Sequence, residues 1–130
     1  MPVLTTTRLN LRPLQMDDFA AVHAYASVLD NVLFMPWGPN TEGQTIAFLE
    51  KAIATTRSNP DSADNLAVVL RESDQVIGGC GLSLTADLTG SLGWILHRDY
   101  WGQGYGTELA AELIRFGFED LQLHRIWASC

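Results

Sequence analysis

Tyr100-Trp101-Gly102-Gln103-Gly104-Tyr105-Gly106-Thr107-Glu108 joins an apolar run, Leu92 to Leu96, to a helical pattern that begins near Thr107. The stretch reads as a strand, a glycine-rich turn and a helix. Three glycines at alternate positions let the backbone turn tightly and expose consecutive N–H groups, while the helix start adds the positive end of its dipole. Together they predict an anion site of phosphate size. No Gly-Lys-Ser/Thr follows, as a P-loop requires, and the strands before the loop read as an antiparallel meander rather than the βαβ unit of a dinucleotide fold.

Upstream of this stretch, Leu66 to Leu70 and Val76 to Leu84 are strand-like runs separated by the polar turn Glu72-Ser73-Asp74-Gln75. A second turn, Asp87-Leu88-Thr89-Gly90, leads into a third strand, Ser91 to His97. Nearer the N-terminus, residues 3 to 12 carry Leu4, Leu9 and Leu11 and predict one first strand ending at Pro13. Asp17-Asp18 precede Phe19, Val22 and Ala26 at helical spacing. Thr41-Glu42-Gly43-Gln44 matches a capping box, with Ile46, Leu49 and Ile53 as the apolar stripe of a second helix that stops before Asn59-Pro60. Downstream, Leu109, Leu113, Phe116 and Leu121 mark one face of a third helix, and Arg125-Ile126-Trp127-Ala128 begins a further strand. The order is β-α-α-β-β-β-α-β, an α/β sheet of mixed direction.

The 130 residues are 47% hydrophobic, and no Pro/Gly/Ser-rich linker divides them, so one compact domain spanning 1–130 is expected. Apolar runs are far shorter than the roughly 20 residues that cross a bilayer. No basic segment followed by an apolar one opens the chain, so neither export nor a membrane partner is expected. Cys80 and Cys130 show no metal or redox spacing and read as reduced thiols of a cytoplasmic protein. Acidic residues outnumber basic ones 15 to 8, a formal charge of −7. That balance disfavours nucleic acid as a ligand and mildly favours a cationic substrate such as an amine.

With strand, glycine loop and helix in this order, the chain resembles the GNAT superfamily of acyl-coenzyme A N-acyltransferases over essentially its whole length. It is most similar to the ribosomal-protein N-terminal acetylase branch in Thr7-Arg8-Leu9-Asn10-Leu11-Arg12-Pro13, in Met35-Pro36-Trp37-Gly38-Pro39, in the glycine loop itself, and in Phe118-Glu119 with Leu123-His124-Arg125-Ile126. The resemblance implies a GNAT-like, mainly antiparallel twisted sheet flanked by helices. It also implies that the C-terminal α-β-β of the family domain is missing, so the domain is expected to be truncated. The exposed last strand then belongs to a fragment, or is completed by a second copy in a homodimer.

In the family pattern Q/R-x-x-G-x-G/A, the loop amides hold the coenzyme A pyrophosphate; here they are those of Gln103, Gly104, Tyr105, Gly106 and Thr107. Trp101 stands where Gln or Arg is usual. Leu96 and His97 match positions whose backbone pairs with the pantetheine arm. The implied reaction is transfer of an acetyl group from acetyl-coenzyme A to a primary amine, on a small molecule or a protein N-terminus, by direct attack. The Leu96 N–H is the candidate to polarise the thioester carbonyl. Many members carry a Glu where this chain has Ser91, whose hydroxyl can order a water but cannot act as a carboxylate base. His97 is the nearest group with a suitable pKa, so Ser91 and His97 are the candidate catalytic residues. Trp37 is the candidate substrate-side wall, and Asp87 and Glu42 are acids near the cleft. Cys80 reads as a buried small residue and Glu108 as a capping group. Ser91 and the missing segment also motivate a second reading, a catalytically silent acyl-coenzyme A-binding module.

Overall fold

The computed structural model describes residues 3–27, 38–59, 63–86 and 88–128. Six strands lie in sequence order across one sheet: β1 (Leu4–Thr5), β2 (Leu9–Pro13), β3 (Ala63–Leu70), β4 (Val76–Ala86), β5 (Thr89–Leu96) and β6 (Arg125–Ala128). Neighbours from β1 to β5 are antiparallel, and β5 and β6 are parallel. A parallel pair needs a crossover, which α3 (Tyr105–Arg115) supplies; α1 (Phe19–Ala26) and α2 (Glu42–Ser58) lie between β2 and β3 in the chain. No described helix is long and apolar enough to cross a membrane.

Leu66 to Leu70 are all buried because β3 is covered on both faces, which is why this strand reads as a continuous apolar run rather than an alternation. Leu66, Val68 and Leu70 face the layer that contains Leu109, Leu113 and Phe116 of α3 and its extension. Ala67 and Val69 face Val22, Tyr25 and Ala26 of α1 and Leu49 and Ala52 of α2.

Three expectations are corrected in detail. The single first strand is a hairpin, because Thr6 closes a turn: its N–H donates to Leu9 O at 2.8 Å and its hydroxyl accepts from Leu9 N at 3.0 Å. On α2 the capping box forms as predicted, with Thr41 N–H donating to Gln44 Oε1 at 2.8 Å and Gln44 N–H to Thr41 Oγ1 at 3.2 Å. The buried face, however, is Thr45, Leu49 and Ala52, and Ile46 is exposed. A hydrogen bond of 2.8 Å between Thr45 Oγ1 and His23 Nδ1 fixes that rotation against α1, and turns Phe48 outward. On α3, the apolar stripe holds through Phe116, after which a π-helical turn, closed by Leu121 N–H to Phe116 O at 3.0 Å, leaves Leu121 half-buried.

The start of α1 is tied to β2 by a paired charge. Arg12 donates from both terminal nitrogens to Asp18, each at 2.9 Å, and Asp18, 5% exposed, also accepts from Gln15 N at 2.8 Å. Hydrogen bonding to Asp18 raises the Arg12 pKa above its usual value in spite of burial. Asp18→Ala leaves that guanidinium unmatched and should lower the stability to urea unfolding by about 3 kcal/mol, with much of it restored in Arg12→Met/Asp18→Ala. A loss below about 1 kcal/mol would mean that the pair behaves as a surface ion pair.

Candidate functional site

The predicted strand, glycine loop and helix are all present. After β5, a short 3-10 turn (Arg98–Tyr100) leads into the loop, and Gly104 is the N-cap of α3 with φ +82°, a conformation that costs a side-chain-bearing residue about 1–2 kcal/mol. Glu108 N–H closes the first helical bond, to Gly104 O at 3.0 Å. The amides of Tyr105, Gly106 and Thr107 therefore point out of the helix N-terminus without helical partners. Gly106 admits the indole of Trp94, since a methyl group there would stand 2.9 Å from Trp94 Nε1.

Glu108, one turn into α3, is occupied by the turn between β1 and β2. Its Oε2 accepts from the Thr6 hydroxyl and from Arg8 N at 2.8 Å, and its Oε1 accepts from Arg8 Nε at 2.7 Å. Arg8 also donates to Gln103 O at 3.0 Å and lies 4.2 Å from the centre of the Tyr105 ring. Burial alone would raise the Glu108 pKa, but these hydrogen bonds outweigh it and hold the carboxyl below its ordinary value. The acid is thus neutralised by Arg8 beside the N-terminus of α3.

The end of β5 divides the two backbone positions expected to meet the pantetheine arm. His97 N–H donates to Ile77 O at 2.8 Å and its carbonyl accepts from Tyr100 N at 2.9 Å, so both of its backbone groups are used within the chain. Its Nδ1 accepts from Asp99 N at 3.2 Å, capping the 3-10 turn, and the residue does not line the cleft described below. Because hydrogen-bonded and non-hydrogen-bonded pairs alternate along an antiparallel ladder, the His97–Ile77 bond turns the backbone groups of Leu96 and Trp94 away from β4. Leu96 O duly accepts from Trp101 Nε1 at 2.8 Å. Trp101, where the family pattern has Gln or Arg, thus fastens the loop to the strand end.

On the opposite face, a cleft of about 670 Å³ lies between α1, the first half of α2 and the β4–β5 pair. Its floor includes Gly79, Gly81 and Ser83 opposite Ile95, Gly93 and Ser91. Ser91 and Ser83 are cross-strand partners, so the expected Ser91 does reach the cleft. Sequence reasoning missed most of the walls, among them Tyr25, Phe48, Asp64 and Asn65. Nothing in the local pattern of α1 distinguishes Tyr25 from a core aromatic. Tyr25 is 3% exposed, burial raises its pKa, and its hydroxyl has no partner among the described residues. Burial pushes the Cys80 thiol up to about 12, so it is no thiolate nucleophile. Glu42 is exposed at the start of α2 and does not line the cleft. Trp37, Asp87 and Cys130 lie outside the described residues. Among those described, no cluster suited to a metal ion is found.

The sequence pattern of the acetyltransferase (GNAT) domain family matches residues 8–130. A Bacillus subtilis protein named uncharacterized N-acetyltransferase YnaD is 32% identical over 128 residues, which are 98% of this chain and 72% of that one. The crystal structure of a GNAT-family acetyltransferase from Bacillus anthracis superposes with a TM-score of 0.89 at 29% identity, covering 99% of this chain and 74% of the other. A ribosomal-protein-S5-alanine acetyltransferase from Vibrio fischeri shares the fold, with a TM-score of 0.71 at 18% identity over 98% of this chain and 73% of that one.

The Glu108 clamp has a defined pH signature. A carboxyl with a depressed folded pKa stabilises the fold above its unfolded value, about 4.3 for Glu, and loses that contribution as pH falls through the folded value. Glu108→Gln should therefore melt at a lower temperature than the parent chain at pH 7, with the gap narrowing as pH falls towards about 3. A gap that is constant across that range would show that Glu108 acts through packing rather than charge.

Proposed function

The chain belongs to the GNAT acetyltransferase family, and from that premise we propose that it transfers an acetyl group from acetyl-coenzyme A to a primary amine. The observation that carries this reading is the run of amides at Tyr105, Gly106 and Thr107 that have no partner among the described residues, adjoining the outward-turned backbone of Trp94 and Leu96. Amides at a helix N-terminus suit a pyrophosphate, and an outward strand edge suits the amide-bearing pantetheine arm. Arg8 completes the fit by cancelling the charge of Glu108, so the loop presents no net negative charge to the phosphates. Gln103, Gly104, Tyr105, Gly106 and Thr107 would hold the pyrophosphate, as the resemblance to the family loop implies.

When bound, acetyl-coenzyme A supplies an activated acyl carbon and a thiolate leaving group. The amine nitrogen bonds to that carbon, the C–S bond breaks with its electron pair passing to sulfur, and the proton lost by nitrogen is made up at the thiolate through solvent. Leu96 N–H is the donor we assign to the thioester oxygen. Ser91 lines the cleft and would order a water on the amine side. His97 is not carried forward as a base or as a backbone partner of pantetheine, because its Nδ1, N–H and carbonyl are already engaged in holding the turn. The protein would work mainly by positioning.

Gly104→Val should weaken coenzyme A binding at least tenfold, roughly the 1.4 kcal/mol that one strained left-handed residue costs. Calorimetric titration reads this directly; unchanged affinity would mean that the pyrophosphate has been misplaced. Thiol release from acetyl-coenzyme A over a panel of amines tests transfer separately. Tight cofactor binding with no turnover on any amine would overturn the enzyme reading and favour a silent binding module.

A further inference from the structure

The Tyr25 hydroxyl is a buried donor for which the described fold supplies no acceptor. Tyr25 is 3% exposed and belongs to the apolar layer of Leu14, Val22, Ala26 and Leu49. Its hydroxyl has no hydrogen-bond partner among the described residues, whereas most buried polar groups in proteins find one. Burial raises its pKa, so the group is a phenol with a proton to donate across the neutral range. The hydroxyl is set over the floor of the cleft, and Gly79 makes room for it: a methyl group at Gly79 would stand 2.9 Å from Tyr25 Oη.

The surroundings define what the missing acceptor must be. Along the floor, the pair Gly79–Ile95 is followed by Gly81–Gly93 and then by Ser83–Ser91, each about 7 Å from the last because alternate residues share a strand face. Gly93 leaves open space, with nothing within 4 Å of where its side chain would begin. A ligand lying there has the Tyr25 hydroxyl at one end and the two serine hydroxyls at the other. No Lys, Arg or His lines the cleft among the described residues, so a ligand carboxylate drawn to Tyr25 would be buried without a positive partner. A ligand hydroxyl would bring a donor of its own into an apolar layer. A neutral carbonyl oxygen only accepts, and so is the group that the phenol satisfies in full.

We infer that Tyr25 is a specificity-determining residue of the cleft, whose hydroxyl donates to a neutral carbonyl oxygen of the ligand, in an amide or ester attached to the carbon that bears the acceptor amine. With the carbonyl at Tyr25, the interval of about 7 Å to the Gly81–Gly93 pair leaves the amine over the open floor, on the side of Ser83 and Ser91. An amine without a carbonyl leaves the buried donor unmet, and the site discriminates against it for that reason. The inference rests on the acetyl-transfer reading for calling this ligand the acceptor, but binding and transfer are measured separately and either can fail alone.

Titration calorimetry of the chain, with and without coenzyme A, would compare ligands of one stem: leucinamide, leucine methyl ester, leucinol, leucine and 3-methylbutylamine. The amide and the ester should bind about tenfold more tightly than the other three. Tyr25→Phe should weaken the amide and the ester about tenfold and leave 3-methylbutylamine unchanged. Without ligand, the same variant should melt at or above the temperature of the parent chain, since it removes a donor that the fold does not meet. A fall of about 4 °C or more would show that the hydroxyl is bonded within the fold and would overturn the inference. So would an unaltered amide affinity in Tyr25→Phe, the result expected if the hydroxyl meets water alone. Leucine or leucinol binding as tightly as the amide, or no saturable binding of amide or ester, would also sink it. Leucyl-glycyl-glycinamide distinguishes the source of the carbonyl: with the same Tyr25 dependence, tighter binding than leucinamide supports a peptide N-terminus, and weaker binding supports a small amide. Binding of the amide without thiol release from acetyl-coenzyme A would support the ligand class and remove transfer. An equal loss of thiol release on every amine in Tyr25→Phe, with amide affinity unchanged, would place the hydroxyl at the thioester and overturn the inference while keeping transfer.

Discussion

The carboxylate of Glu108 is where the two ends of the fold are joined. It takes hydrogen bonds from Thr6 and Arg8, residues 100 or more positions away in the chain, and so fixes the β1–β2 turn against the first turn of α3. The electrostatic consequence matters as much as the mechanical one. A bare carboxylate one turn into the helix would oppose any anion approaching the N-terminus; paired with Arg8, it anchors the helix while the dipole and the unpartnered amides keep their positive character. Arg8 also reaches Gln103 O, so the loop is held from the side of the sheet that precedes it by most of the chain.

That anchoring places two different surfaces on the two faces of one sheet. On the α3 face, Leu82, Leu92 and Leu96 pack under Leu109 and Leu113, which sets the helix N-terminus beside the end of β5. On the α1–α2 face, glycines and serines line the β4–β5 floor where larger side chains would otherwise fill the space, and the cleft results. β3, covered on both sides, is the rigid member between them. A ligand that ran along the outer edge of β5 and another in the cleft would meet across a single strand, the arrangement a two-substrate transfer requires.

The order of elements was legible because each depends on local pattern: the capping box at Thr41, the turn at Glu72–Gln75, the three glycines of the loop. The exceptions have physical causes. Thr45 and Ala52 carry too little apolar weight to announce a buried helix face, so Ile46 drew the stripe to the wrong side of α2; a polar contact with His23 decided the rotation. The first strand was split by a hydroxyl that closes a turn, which hydrophobic alternation cannot register. At the site, the glycine loop was readable from its spacing, and Ser91 from the resemblance to the family. The engagement of His97 was not, since it depends on Ile77, Asp99 and Tyr100 meeting it in three dimensions. Arg8 lies in the Thr7–Pro13 motif, yet its partner Glu108 is distant in the chain, so its role emerges only with the fold.

Proton transfer is where the arrangement is most economical. Burial keeps Cys80 and Tyr25 protonated, and His97 is turned into the loop. Among the described residues, Ser83 and Ser91 are a cross-strand pair of hydroxyls in the cleft able to order water. In the proposed transfer, an amine that arrives as ammonium must lose its proton before it attacks. Rate acceleration in the proposed transfer would come from presenting the small neutral fraction of amine to a thioester aligned along β5. The features that would provide alignment, namely the Glu108–Arg8 clamp, the Gly104 cap and the Trp101 indole on Leu96, would then carry more of that proposed chemistry than a base in the cleft.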